Sequence, residues 1–162
     1  MTAGVRLADR PGDVGEVVAL HGRVYGSEYG LDVAMETHVA SGLVEWLREG
    51  QELPGRLWVG DGDARIAGCI GVTGRSPEVA RLRWFVVDPA YRGRGLGRAL
   101  LSEVMAFVRS SGYRRVELET FSELTGAARL YRGAGFARTG TERRRFCGRD
   151  VDMEWYALEL RH

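Results

Sequence analysis

The stretch that most restricts how this chain can fold is residues 80–112, where a strand pattern, a glycine-rich turn and a helix pattern follow one another without a break. Ala80 to Val87 alternates Arg81 and Arg83 with Leu82 and Trp84, then loses its alternation at Phe85-Val86-Val87. This predicts a strand whose far end is buried or bulged. Asp88 to Gly95 is turn chemistry. From Leu96 to Ser111 the apolar residues Leu96, Leu100, Val104, Phe107 and Val108 recur on one helical face, and Gly112 stands where a left-handed C-terminal cap belongs. A strand is therefore followed, through glycines, by the strongest amphipathic helix in the sequence.

The rest of the chain alternates the same two kinds of element. Val5 to Leu7 reads as a strand, and Asp13 precedes an apolar-periodic helix through Val17, Leu20 and Val24. Tyr25-Gly26-Ser27-Glu28-Tyr29-Gly30 is expected to break that helix into a loop, with Asp32 opening a second helix that ends at Gly50. Leu57 to Val59 and Ile66 to Val72 flank Gly60-Asp61-Gly62-Asp63 as an antiparallel hairpin. Arg115 to Thr120 alternates as a strand, Ala127 to Arg132 is a short helix, Phe136 returns to strand, and Trp155 to Leu160 is the last strand. Strands with helices between them point to one layered α/β domain over residues 1–162, with a largely antiparallel sheet.

Composition excludes several kinds of function. A chain of 162 residues with 44% hydrophobic and 28% charged residues has the profile of a soluble domain, and no apolar run is long enough for a membrane span. Met1 to Arg6 carries no leader pattern, so the expected location is cytoplasmic. All 23 basic residues are arginine, which removes lysine-dependent chemistry such as a Walker A loop or a Schiff base. The formal net charge of +1 offers nothing global to a polyanion, and no nucleic-acid partner is expected despite the basic clusters at 92–98 and 143–145. Cys69 and Cys147 match neither a metal-ligand spacing nor a disulfide framework, and no metal is expected.

Chemistry concentrates at Arg92-Gly93-Arg94-Gly95-Leu96-Gly97-Arg98. Glycines let backbone N–H groups converge on one centre, and the first turn of the following helix adds unpaired N–H groups and the positive end of its dipole. Arg92, Arg94 and Arg98 supply charge-assisted donors suited to a pyrophosphate. Taken alone, the same residues equally make a tight strand-to-helix turn with a solvated arginine face. A dinucleotide fingerprint is excluded, because its third glycine falls on Arg98.

Leu82 to Pro89 followed by Arg92-Gly93-Arg94-Gly95-Leu96-Gly97 resembles the acetyl-CoA motif of the GNAT acyltransferases, (Arg/Gln)-x-x-Gly-x-(Gly/Ala). Leu130-Tyr131 with Gly135-Phe136 resembles their second marker, a helix-borne tyrosine followed by Gly-Phe. The core of the likeness spans Ala80 to Phe136. His21 to Gly30, Trp84-Phe85 and Leu158-Glu159-Leu160 are further similar to the acyltransferase half of bacterial MarR–GNAT fusion proteins, without the DNA-binding half.

The resemblance implies a mixed, largely antiparallel sheet of about seven strands with helices on both faces. It implies acetyl-CoA as co-substrate, bound by Phe85, Val86 and Val87 along its pantetheine arm, by Arg92 to Arg98 at the pyrophosphate, and by Ala127. Tyr131 would protonate the departing CoA thiolate; its other reading is a packed core aromatic. Where many members carry an asparagine that bonds pantetheine, this chain has Leu124, with Thr120 or Ser122 as substitutes. The acceptor is expected to be an amine of a small molecule or peptide. Such an amine must lose a proton before attack; Glu28 is the first candidate base and Glu119 the second, each otherwise a surface carboxylate. Tyr25, Tyr29 and Trp46 form either an aromatic wall for the amine or part of the core. Homodimers are common in the family. The rival reading is a non-catalytic acyl-CoA sensor.

Overall fold

The structure, a computed structural model, describes residues 4–161; Met1 to Ala3, part of the segment read for a leader, and His162 lie outside the described residues. In chain order the elements are β1 (Val5–Leu7), α1 (Asp13–Tyr29), α2 (Ala34–Glu49), β2 (Arg56–Asp61), β3 (Ile66–Gly74), β4 (Val79–Val87), α3 (Leu96–Ser110), β5 (Arg115–Phe121), α4 (Thr125–Gly133), β6 (Ala137–Phe146) and β7 (Arg149–Glu159). The seven strands form one sheet in the order β1-β2-β3-β4-β5-β7-β6. Every neighbouring pair is antiparallel except β4 and β5. No described helix is long and apolar enough to cross a membrane.

Alternating side chains give the sheet two cores. Leu57 and Val59 of β2 pack with Val17, Leu20, Val39 and Leu43 of α1 and α2, while Trp58 between them packs with Leu100, Val104 and Val108 of α3. Helices thus cover both faces, as expected. Ion pairs Arg143–Asp152 and Arg145–Asp150 tie the outer β6–β7 hairpin. Its two-residue loop is Cys147-Gly148, both with positive φ, 48° and 91°. That is the geometry of the primed hairpin turns. β7 begins at Arg149, earlier than the sequence reading placed it, although Val151, Met153 and Trp155 alternate with Asp150, Asp152 and Glu154, and Val151 and Met153 are buried.

Two features open a cleft. β4 and β5 pair only from Val79 to Arg81 against Arg115 to Glu117, and then part. Just beyond, the β3–β4 register slips between Cys69 and Gly71, and Trp84 has φ 54°. A bulge of one residue exchanges the faces of the strand. Ala80 and Leu82 point to the α3 core, but Trp84 and Val86 point to the α1–α2 core, and Phe85 and Val87 turn to the α3 side. Gly71 makes this turn feasible, since a Cβ there would lie 2.4 Å from the Trp84 ring.

One local expectation is corrected. α1 does not break at Tyr25; it continues to Tyr29 and ends on Gly30 at φ 65°. Gly22 and Gly26 each cost the helix about 1 kcal/mol relative to alanine. Burial of Val24 and Tyr25 offsets that, and a Cβ on Gly22 would meet the Glu36 side chain of α2 at 2.3 Å. Glu28 therefore lies on the last helical turn, not in a loop.

Candidate functional site

A cavity of about 540 Å³ runs along the end of β4 that has parted from β5, walled by Phe85, Val86 and Val87 of β4, by Leu124, Gly126, Ala127 and Leu130 from the α4 region, and by the glycine loop. At one end Gly93 and Gly95 hold φ 73° and 84°, conformations that only glycine adopts cheaply. Gly95 is the N-cap of α3 and no side chain caps that helix. The first-turn N–H groups of Leu96, Gly97 and Arg98 have no intrahelical acceptors, and these residues line the cavity. Gly97 also lets α4 come close, a Cβ there being 3.1 Å from Leu130. The result is a compact donor nest beside an apolar trough.

The three arginines are used differently. Arg98 lines the cavity, whereas Arg94 stacks on Tyr91 at 5.3 Å. Arg92 reaches across the mouth, donating to both oxygens of Glu28 at 2.5 and 2.7 Å and through Nε to the Val87 carbonyl at 3.2 Å. The Tyr25 hydroxyl donates to the Phe85 carbonyl at 3.2 Å. Tyr25 and Tyr29 both line the cavity, their rings 5.9 Å apart, and burial raises the phenol pKa of each. Trp46 lines neither this cavity nor the next; it is buried against Trp84 at 5.8 Å, which resolves its alternative reading in favour of the core.

Tyr131 is 4% exposed, its ring about 6 Å from those of Phe85, Phe136 and Tyr156. Burial pushes its phenol far above the usual value, with Tyr25 and Tyr156 adding to the shift. It therefore keeps its proton at physiological pH. It faces a second, smaller cavity of about 280 Å³ that shares Tyr25, Phe85 and Leu124 with the first. The two spaces adjoin at those three residues, and Tyr131 stands on the side of the second, its ring 6.0 Å from that of Phe85.

Neither carboxylate expected as a base stands free. Glu28 has both oxygens on Arg92 and lines neither cavity. Glu119 is the single carboxylate among the described residues lining the second cavity, where it is held by Arg144 and, at 3.5 Å, by Arg81. Thr120 lines the second cavity, not the first, and Ser122 lines neither, so neither takes the place of the missing asparagine; Leu124 leaves an apolar wall there. His21 lines the second cavity with Nδ1 2.8 Å from the Val17 carbonyl, and burial lowers its pKa to about 4.

Sequence reasoning missed most of the second cavity. Its wall is drawn from Met35, His38 and Val39 of α2, Arg81 to Phe85 of β4, Glu119 to Phe121 of β5 and Arg144 of β6. No spacing links these residues along the chain, and only the Trp84 bulge left a trace, the lost alternation at 85–87. Among the described residues no three of His, Cys, Asp and Glu group as metal ligands.

A sequence model described as the acetyltransferase (GNAT) family matches residues 27–136. Human N-acetyltransferase 8B is 30% identical over 128 residues, 76% of this chain and 55% of that protein. N-alpha-acetyltransferase RimI of Mycobacterium tuberculosis is 40% identical over 82 residues, 49% of this chain and 50% of its own length. The chain thus spans about half the length of these relatives. Among solved structures, yncA of Salmonella typhimurium with its cofactor acetyl-CoA matches with a TM-score of 0.75 at 20% identity, over 100% of this chain and 96% of that one. This last likeness is one of fold.

Proposed function

The chain belongs to the acetyltransferase (GNAT) family, and from that membership we propose that it is an acetyl-CoA-dependent N-acetyltransferase acting on a primary amine of a small molecule or peptide. The relatives are named N-acetyltransferases, and yncA carries acetyl-CoA. The observation that carries the reading is a pair of adjoining cavities, one ending in the uncapped N-terminus of α3 and the other lined by Tyr131. The fit to the donor is chemical: convergent N–H groups and Arg98 for a pyrophosphate, and an apolar trough along Phe85, Val87 and Ala127 for the pantetheine arm.

Bound acetyl-CoA supplies an activated thioester. Gly93 to Arg98 hold its phosphates, with Arg92 free to join them on releasing Glu28. Phe85, Val86 and Val87 align the arm, Tyr25 walls the junction, and Tyr29 walls the donor side. The amine enters from the second cavity and attacks the thioester carbonyl carbon; the C–S bond breaks, and Tyr131 gives its proton to the thiolate. The phenol is a weaker acid than the thiol it makes, so the transfer depends on placement, not on pKa matching. Of the two carboxylates, Glu119 is the one that lines the acceptor cavity, and it takes the ammonium proton on releasing Arg144; Glu28 instead tethers Arg92. The same proposal has residues 1–162 act as one cytoplasmic domain, with no nucleic-acid or membrane partner, alone or as a homodimer. It keeps the closer likeness to MarR–GNAT fusion proteins.

The test is thiol release from acetyl-CoA over a panel of amines and peptides, with Tyr131→Phe in parallel. Loss of the acid lowers kcat by about 10²- to 10⁴-fold. Undiminished kcat in the variant rejects Tyr131 as the acid. Tight acetyl-CoA binding without turnover on any acceptor replaces the transferase by the sensor reading.

A further inference from the structure

The chemistry of the acceptor can be read from the charges around the second cavity, taking as given its assignment as the acceptor chamber. Arg81, Arg83 and Arg144 line it against the one carboxylate of Glu119. Glu119 is already shared between Arg81 and Arg144. Their neighbours on β6 are also matched, Arg143 by Asp152 and Arg145 by Asp150. Arg83 is the exception. Its guanidinium lies over the Trp84 ring at 4.3 Å and makes no hydrogen bond or ion pair with any described residue. Glu45 of α2 acts on it only through space.

This position is built. Gly42 of α2 leaves the space, since a Cβ there would stand 2.5 Å from Nη2 of Arg83 and 3.5 Å from the Trp84 ring. The arginine is half-buried, and a cation withdrawn from water without a partner is costly. In the same cavity, the Thr120 hydroxyl is buried and has no hydrogen-bond partner. A ligand that brings an anion and a polar neighbour satisfies both groups. The volume of about 280 Å³ lies at the bottom of the range for small-molecule sites, which favours a compact acceptor.

We propose that this chamber selects a small amine that carries a carboxylate in the same molecule, the carboxylate pairing with Arg83 over Trp84 and Thr120 bonding the ligand beside it. A free amino acid offers that chemistry through its α-carboxylate, an N-terminal acidic residue of a peptide through its side chain.

The test compares kcat/KM for an amino acid, its carboxamide, and an amidated dipeptide beginning with aspartate, all at saturating acetyl-CoA. Binding of the same acceptors is followed by tryptophan fluorescence, to which Trp84 beneath the guanidinium contributes. The amino acid is expected to exceed its amide by about 10- to 100-fold, the worth of one charged hydrogen-bonded contact. Preference for the dipeptide over the free amino acid would assign the carboxylate to a side chain. Arg83→Gln removes the preference. Gly42→Ala does the same from the opposite side by displacing the guanidinium, while its helix gains from alanine. Equal kcat/KM for acid and amide overturns the proposal and leaves the transferase standing. Carboxylate-selective binding with no thiol release overturns the transferase and keeps the anion site.

Discussion

Gly60→Ala tests whether the anion-binding end is supported from beneath the sheet. Gly60 and Gly68 stand opposite each other in the β2–β3 ladder. Leu96, the first residue of α3, rests on both: a Cβ on Gly60 would lie 2.6 Å from its Cδ1, and one on Gly68 would lie 3.1 Å from its Cδ2. Carbon atoms pack at about 3.5–4.0 Å, so the new methyl needs roughly 1 Å that the structure lacks. Leu96 is 2% exposed, and the space open to it is the cavity that it lines, so yielding to the methyl pushes it into that cavity. Overpacking of this kind costs about 1–3 kcal/mol, and replacing a strand glycine by alanine returns about 0.5–1 kcal/mol. A net loss of about 1–2 kcal/mol follows, a fall in Tm of about 2–8 °C for a domain of this size. Because the displaced residue opens α3, the push also moves the first-turn N–H groups, and turnover should fall by up to about 100-fold. The assay is a double-mutant cycle by urea unfolding. In a Leu96→Ala background the methyl has room, so the two substitutions should couple by about 1 kcal/mol or more. If their costs add to within about 0.5 kcal/mol, Leu96 does not rest on Gly60 and the argument fails.

Two further outcomes separate structural from chemical roles. His21 is buried with its pKa lowered to about 4 from an ordinary 6.5. The unfolded chain therefore takes up the proton first: stability is fully present above pH 6.5 and declines as pH falls toward 4, by roughly 3 kcal/mol. His38, also lowered, acts in the same direction. Urea unfolding between pH 7 and 4 should give a flatter profile for His21→Leu; superimposable slopes would mean that the imidazole is not held neutral. For Glu28→Gln the partner Arg92 is partly exposed, so folding should change by less than about 1 kcal/mol. Freed from Glu28, Arg92 is available to a phosphate, and acetyl-CoA binding should tighten about two- to fivefold by calorimetry. A kcat lowered 100-fold or more would instead restore Glu28 as the base.

The donor end was legible in the sequence because its chemistry is local. Glycines at positive φ, a helix that starts without a cap and a strand that loses its alternation all occur within residues 80–98, and each leaves its mark on consecutive letters. The acceptor end is not local. His38, Arg83, Glu119, Thr120 and Arg144 come from α2, β4, β5 and β6, and the glycine that seats Arg83 reveals its purpose only in space. Gly42 looks like a weak point in a helix until Arg83 is found against it, as does Gly22 until Glu36 is found against it. The carboxylates meet the same limit: a Glu near a site is visible in sequence, but the arginine that pairs with it is not. This division has a functional consequence. Substituting Arg83 or Arg144 alters the charge of the acceptor chamber without touching Gly93 to Arg98, so acceptor choice can change while the donor loop stays intact. Their effect should therefore fall on the KM of the amine and leave the Kd of acetyl-CoA unmoved.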